Sequence, residues 1–590
     1  MHQFIGFVLL QSVFIFAIFV SLCDICKRAF RLDDFLAFCA GTLAVGALGY
    51  ASFWVAYVNY PTFGGIKIIV LASLIVFLAH AIYHRSFSLG AGLTEPLLYT
   101  FLFFLIVITL GMSNGGFENP TSTAQIRFSH PLPIDNIAPL IFAQAIQNGF
   151  VPSPLDDNWL SSDRPPLQVG LYFLLCLRNT RYISPSELAG SPFGYFVVTV
   201  CLQATYLFGV WGVAAAAAVP TATRRLILLA SCLLPTAIIN TLFTWPKMIA
   251  VGYLLLVFAL LFCRRAESER DRKATGILIG GLTALSLLSH GSSLFALIGF
   301  AVVVAAFWHW PPLKSVIYGA GTLFTLYTPW VLYQTFIDPP GNRLFKWHFA
   351  GVVDVDGRSS LAALRDSFGT LSWHDYLQGR LANFIRLWGV WPDTIWDRVI
   401  GPFSSWYPPQ HVRGTDFFSF LPSLHTFGFA LMIAPLLLPF VPPPQRGIGL
   451  RLLVALAATL SAFVILIFDP SNTVNHHGTY TTQVMATVFV FLVLGLCARW
   501  LALLFIAAQT VTVAAAYVFS IEHNPALFPF MAICAAAILL LYGHSLSPTV
   551  SGLMPIALIR GSQHSGGQPG AADPRRQGPG GDAAADGQRK

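Results

Sequence analysis

"PLQVGLYFLLCL", residues 166–177, is an apolar run twelve residues long, whereas a helix that crosses a bilayer needs roughly 20. Whether it crosses sets the side of everything after it. If it crosses, the loop "CRRAESERDRK" (263–273) lies outside, against the tendency of Arg and Lys to stay on the inner side. If it does not, Lys27, Arg28, Arg31, Arg224, Arg225, the 264–273 cluster, Lys314, Arg446, Arg451 and Arg499 all lie inside. The second assignment keeps the basic loops together, so 166–177 is expected to be a juxtamembrane or re-entrant helix on the outer face.

The rest of the chain supports a membrane protein. Of 590 residues, 55% are hydrophobic and 10% charged, against about 25% charged in a soluble domain. Runs such as "FIGFVLLQSVFIFAIFVSL" and "LLYTFLFFLIVITLG" approach or reach membrane thickness. The expected fold is an all-α polytopic membrane protein of about fifteen transmembrane helices, with juxtamembrane helices and two large loops outside. Its parts are the N-terminal spans (1–112), a first outer loop (113–192), central spans (193–336), a second outer loop (337–422), C-terminal spans (423–545) and a tail (546–590). The N-terminus is then outside and the Gly/Pro-rich, disorder-prone tail is cytoplasmic. No basic n-region or small-residue cleavage site marks the first run, which reads as a retained span. The net charge of +8 is accounted for by orientation signals and the tail, so no nucleic-acid partner is implied. Nine cysteines have no framework spacing, and "CDIC" (Cys23, Cys26) reads as the end of an apolar helix.

With that orientation the outer face collects "PLPIDN" (131–136), "SSDRPP" (161–166), "FTWPK" (243–247), "LLSHGSS" (287–293), "DPPGNRLFKWHFAG" (338–351) and "DPSNTVNHHGTY" (469–480). Ionisable groups near membrane depth are costly and usually face a cavity. Asp135, ahead of "NIAPLIFAQAIQNG", suits a helix N-cap with Gly149 at the far end. It equally suits a general base held at the water–membrane border. Arg164 before Pro165 and Pro166 suits either a snorkelling side chain or a clamp on phosphate. Asn136, Asp163, Lys247, His290, Arg343 and Lys346 are further candidates for binding substrate, with Asp338 beside them. His476 and His477 are counted with them; as an adjacent pair they also admit a divalent metal, although neighbours in a loop need not converge, and no ligand set for one is evident. No cofactor is required by any motif, and no Walker or Rossmann pattern is present. A base, several cations and an outward cavity beside lipid suit displacement of a sugar from a polyprenyl phosphate.

The order of Asp135, an amphipathic helix closing at Gly149, and then "RPPL" (164–167) opening a short helix resembles the C-type membrane glycosyltransferases (GT-C). Bacterial aminoarabinose (lipid A) transferases and the protein O-mannosyltransferase-like family share this order. The similarity covers roughly residues 93–265. It implies that Asp135 is the base and that Arg164 lies near the carrier phosphate. It further implies transfer from a polyprenyl-phosphate-linked sugar to a lipid, glycan or protein acceptor, on the periplasmic side of a bacterial inner membrane. This chain departs from the family in carrying Asn136 where an acidic pair is usual, Arg for the usual Lys, and four expected spans ahead of the loop instead of one. A lipid-linked glycan polymerase or ligase would use similar charges. A transporter would suit the many spans, but no internal repeat is visible.

Overall fold

The computed structural model describes residues 2–84, 90–115, 136–149, 154–155, 159–177, 193–264, 268–388, 420–468, 480–514 and 528–546. Asp135, His476, His477 and the tail beyond 546 lie outside them. Every regular element among the described residues is helical. Among the described residues, eight helices are long and apolar enough to cross a membrane: Ile5–Phe30, Asp34–Val58, Tyr60–Tyr83, Thr94–Met112, Phe193–Ala216, Pro443–Leu466, Tyr480–Cys497 and Pro529–Leu546. A ninth is reached if Thr221–Cys232 and Pro235–Leu242, bent by 54°, are one broken span.

The expected count of about fifteen is thereby corrected, and the reason lies in helix length. Hydropathy marks an apolar run but not where its helix stops. Ser293–Ala306 has 14 residues, so at 1.5 Å per residue it reaches only about 21 Å of the roughly 30 Å needed. Pro235 opens the second half of the bent pair, because proline cannot donate the hydrogen bond that would continue the first. Lys247–Phe258 starts directly after Pro246 and widens into a π-helical turn at Ala259–Cys263. The first helix instead runs further than expected, to Phe30, and encloses Cys23 and Cys26 as free, buried thiols.

The residues 166–177 do form a short element. The helix Leu167–Leu175 is nine residues long and entirely buried, too short to cross. It sits deeper than a surface-lying helix would. Its seat depends on Gly170, where an added Cβ would stand 2.0 Å from the Gly49 carbonyl oxygen. Close approach over glycine is a common way to join helices in lipid, where apolar surface alone gives no preference. The same device joins Glu269–Ser289 to Leu313–Leu332, with a Cβ on Gly280 falling 1.9 Å from the Gly319 oxygen.

Polar contacts gather at helix termini. Lys27 pairs with Asp34 at 2.5 Å, Arg264 with Asp33 at 2.5 Å, Arg224 with Glu95 and Lys314 with Glu269. These residues belong to the loops that the sequence alternation groups on the basic side. The second large loop contributes three helices: Arg343–Ala350, Ser360–Gly369 and Trp373–Trp388. On the last, Trp373, Leu377, Leu381 and Phe384 form an exposed stripe at helical spacing, while Asn383 on the opposite face donates to the Ile467 carbonyl at 2.7 Å. This amphipathic pattern suits a helix at the membrane interface.

Candidate functional site

The polar knot at 160–164 is a buried fastening between two distant parts of the chain. Ser161, Ser162 and Asp163 form one 3-10 turn with almost no exposure. Asp338 accepts hydrogen bonds from the Ser161 hydroxyl and from the Ser162 amide, the latter at 2.8 Å. Tyr333 shares a 2.5 Å hydrogen bond with the Ser161 hydroxyl, and its ring stacks on Trp330 at 5.0 Å. Asp163 accepts from the Leu160 amide at 3.0 Å and from Arg343 at 2.7 Å. Both members of that ion pair are nearly sealed from solvent, at 2% and 5% side-chain exposure. An isolated buried carboxylate is strongly disfavoured, so Arg343 and the Leu160 amide make the burial of Asp163 tolerable.

Arg164 points elsewhere. Its guanidinium lies 3.9 Å from the centre of the Trp159 ring, which Arg343 also approaches at 5.1 Å. Four residues on, Gln168 donates to the Thr244 carbonyl at 2.9 Å and accepts from Gln203 at 2.9 Å. The Gln203 oxygen in turn receives the amides of Met248 and Ile249, at 2.9 and 3.2 Å. Asn136 donates to the Phe243 carbonyl at 3.1 Å. Asn136, Gln168 and Gln203 therefore all hold the turn that carries "FTWPK".

Lys247 opens a helix from that turn. It is 1% exposed and its Nζ lies 3.4 Å from the centre of the Trp245 ring. A helix N-terminus already carries partial positive charge and favours anions. Gln203 satisfies amides there without bringing any negative charge. An anion at this end would meet both the helix N-terminus and the Lys247 ammonium.

Two histidines complete the cluster. His290 stands just past the helix Glu269–Ser289. Burial, followed by the charges of Lys247, Arg164 and His348, pushes its pKa well below the ordinary value. His348 belongs to Arg343–Ala350, and burial, then Arg164, lowers its pKa to about 4. His348 is neutral near pH 7, leaving Arg164 and Lys247 as the charges. Arg164, Lys247 and His348, from three separate stretches, thus act electrostatically on the buried His290. Such a group can hold an anion by charge and by several N–H donors at once.

The expected candidates divide accordingly. Arg164, Lys247 and His290 come together, and Asn136 secures the turn beside them. Asp163 and Arg343 are engaged with each other. Lys346 is fully buried and turned to Asp356 and to the Asp356 and Arg358 carbonyls. Asp135 lies outside the described residues, and the residue directly ahead of Ala138–Gln147 is Ile137, with no side-chain cap bond. Gly149 does follow that helix with φ of +69°, the left-handed conformation that glycine adopts without strain. His348, Trp159, Gln168, Gln203 and Tyr480 escaped the sequence reading. The glutamines did leave a signal, because a polar amide inside an apolar run needs a partner. No group of three or more His, Cys, Asp or Glu side chains able to hold a metal occurs among the described residues. No family profile, curated relative or solved structure matches the chain.

Proposed function

We propose that this chain is an integral-membrane glycosyltransferase that takes a sugar from a polyprenyl-phosphate carrier and gives it to a cell-envelope acceptor. The supporting observation is that Arg164, Lys247 and His348, from separate stretches, act electrostatically on the buried His290. In this scheme the phosphate of the carrier lies among those four groups, with its polyprenyl chain in the surrounding lipid. An acceptor hydroxyl or amine attacks the anomeric carbon as the bond from that carbon to the phosphate oxygen breaks. Asp135 receives the acceptor's proton, and Arg164 and Lys247 stabilise the charge left on the departing polyprenyl phosphate. One direct displacement inverts the anomeric centre and needs one base, unlike the paired carboxylates of most glycosidases. As the sequence reading of the basic loops suggests, this site is placed on the outer, periplasmic face of a bacterial inner membrane, with the N-terminus outside and the C-terminus cytoplasmic.

The test supplies purified protein in lipid nanodiscs with a short polyprenyl-phosphate sugar and envelope acceptors. Wild type is expected to form glycosylated product. Arg164→Ala should weaken carrier binding about tenfold or more, the scale of losing a hydrogen bond to a charged group, and should lower the rate as well. Arg164→Lys should keep part of both. Sugar that crosses a sealed membrane unchanged, with no product from either form, would mark a transporter instead.

A further inference from the structure

Beside the second half of the interface helix Trp373–Trp388 runs a groove of about 550 Å³, shared with the helices Thr426–Leu437 and Pro443–Leu466. On Pro443–Leu466 its wall is one stripe at helical spacing, from Leu453 through Ala457 and Ser461 to Ile465. Met432 and Pro435 come from the second helix, and Phe384 and Trp388 from the interface helix. Among the described residues the walls are apolar except for Ser461. Leu456 and Leu460 are buried along the floor, while Phe384, Met432 and Ile465 are exposed along the opening. Ala457 and Ser461, one turn apart, are the small side chains that leave the space.

The dimensions of the groove decide what fits it. From Leu453 to Ile465 the stripe rises about 18 Å at 1.5 Å per residue, close to the roughly 15 Å that one leaflet gives to a core of about 30 Å. A helix about 10 Å across displaces roughly 1,400 Å³ over that length, so the groove is too narrow for a neighbouring helix and suits a single hydrocarbon chain. The opening is continuous with the exposed stripe Trp373, Leu377, Leu381 and Phe384, because Phe384 belongs to both. One turn before Phe384 stands Arg380. Its Nη1 donates to the carbonyl of Ile465, a residue of the groove wall, and its Nη2 to the Phe468 carbonyl at 2.8 Å. Those two bonds cap the last turn of Pro443–Leu466 and use only part of the five N–H donors of a guanidinium. Nε is buried with no hydrogen-bond partner. No carboxylate pairs with Arg380 among the described residues, and its nearest ring is Tyr376, 5.0 Å away. A guanidinium at the interface without a counter-charge attracts anionic headgroups, and its planar fork matches phosphate oxygens.

We propose that this groove binds one acyl chain of an anionic phospholipid, whose phosphate accepts hydrogen bonds from Arg380. The headgroup lies at the end of the groove marked by Arg380 and Ile465, and the chain follows the stripe toward Leu453. A chain that belongs to one leaflet matches that length. By filling the space between them, the lipid ties the interface helix to both of its neighbours. The site uses none of Arg164, Lys247 and His290, and it stands whether or not the protein transfers sugar.

The experiment places the full chain in phosphatidylcholine nanodiscs with a trace of a lipid probe that carries a photoactivatable group in one acyl chain. The probe is either phosphatidylglycerol or phosphatidylcholine, and labelled peptides are mapped by mass spectrometry. Labelling of Leu453–Ile465 is compared with that of Tyr60–Tyr83, whose Ile68, Ile69 and Val76 are exposed. The phosphatidylglycerol probe should label the groove about tenfold more than the phosphatidylcholine probe, the scale of a hydrogen bond to a charged group. Both should label Tyr60–Tyr83 alike. Arg380→Gln should remove the preference, and Ala457→Phe, which fills the groove, should remove its labelling by both probes. The same ratio of the two probes at the groove and at Tyr60–Tyr83 would overturn the inference, as would an Arg380→Gln protein that keeps the preference. Loss of the phosphatidylglycerol label on adding an equal amount of farnesyl monophosphate would overturn phospholipid as the occupant and give the groove to an isoprenoid chain. The comparison of the two probes in wild type needs no variant, so an unstable Arg380→Gln protein leaves the test intact.

Discussion

An Asp135→Asn protein is expected to insert and fold as wild type does while its transfer rate falls at least about a hundredfold, near 2.7 kcal/mol of barrier. Two structural facts favour a clean result. Ile137 is the N-cap of the following helix and uses no side-chain cap bond, so the substitution removes no capping bond from Ile137. Asn136 holds the entering chain to the Phe243 carbonyl, and that bond is independent of residue 135. Asparagine keeps the size of aspartate and loses its ability to take a proton. Turnover with unchanged carrier affinity is the measurement; wild-type rates from Asp135→Asn would end the base assignment while leaving the phosphate group of residues untouched.

Arg343→Met is expected to cost about 3–5 kcal/mol of stability, the scale for leaving one partner of a buried ion pair behind. The magnitude follows from where Asp163 sits. Its side chain is 2% exposed, and after the substitution the Leu160 amide is left with the carboxylate that Arg343 had neutralised. The double variant Asp163→Asn with Arg343→Met should recover much of the loss, because no unpaired charge then remains. Thermal unfolding followed by tryptophan fluorescence in one detergent would show the pattern. A single variant as stable as wild type would mean that this fastening contributes nothing to holding the two segments together.

Much of the membrane character was legible in the chain, because thickness and apolar length are directly comparable. The shortness of 166–177 was legible for the same reason. Span number was less so. Apolar composition continues through Pro235 and Pro246, whereas the helices do not, and hydropathy is blind to a missing backbone donor. The site was half legible. Arg164, Lys247 and His290 stood out as polar residues beside apolar runs, yet nothing in their spacing shows that they meet. Their meeting depends on contacts such as Gln168 to Thr244, 76 residues apart. Asp163 and Arg343 show the converse. Each looked like a residue for substrate, and their partnership across 180 residues has no local signature, since opposite charges far apart in sequence pair only through the fold.

The central claim is that Arg164, Lys247, His290 and His348 together hold a phosphate, and a map of the protein with farnesyl monophosphate in nanodiscs tests it most directly. Electron cryomicroscopy should place phosphate density within hydrogen-bonding reach of the Arg164 guanidinium, the Lys247 ammonium and the His290 ring, about 2.7–3.2 Å from their nitrogens. The isoprenoid chain should lead from there toward lipid. Well-resolved phosphate density bound at another place, with these four side chains unengaged, would contradict it.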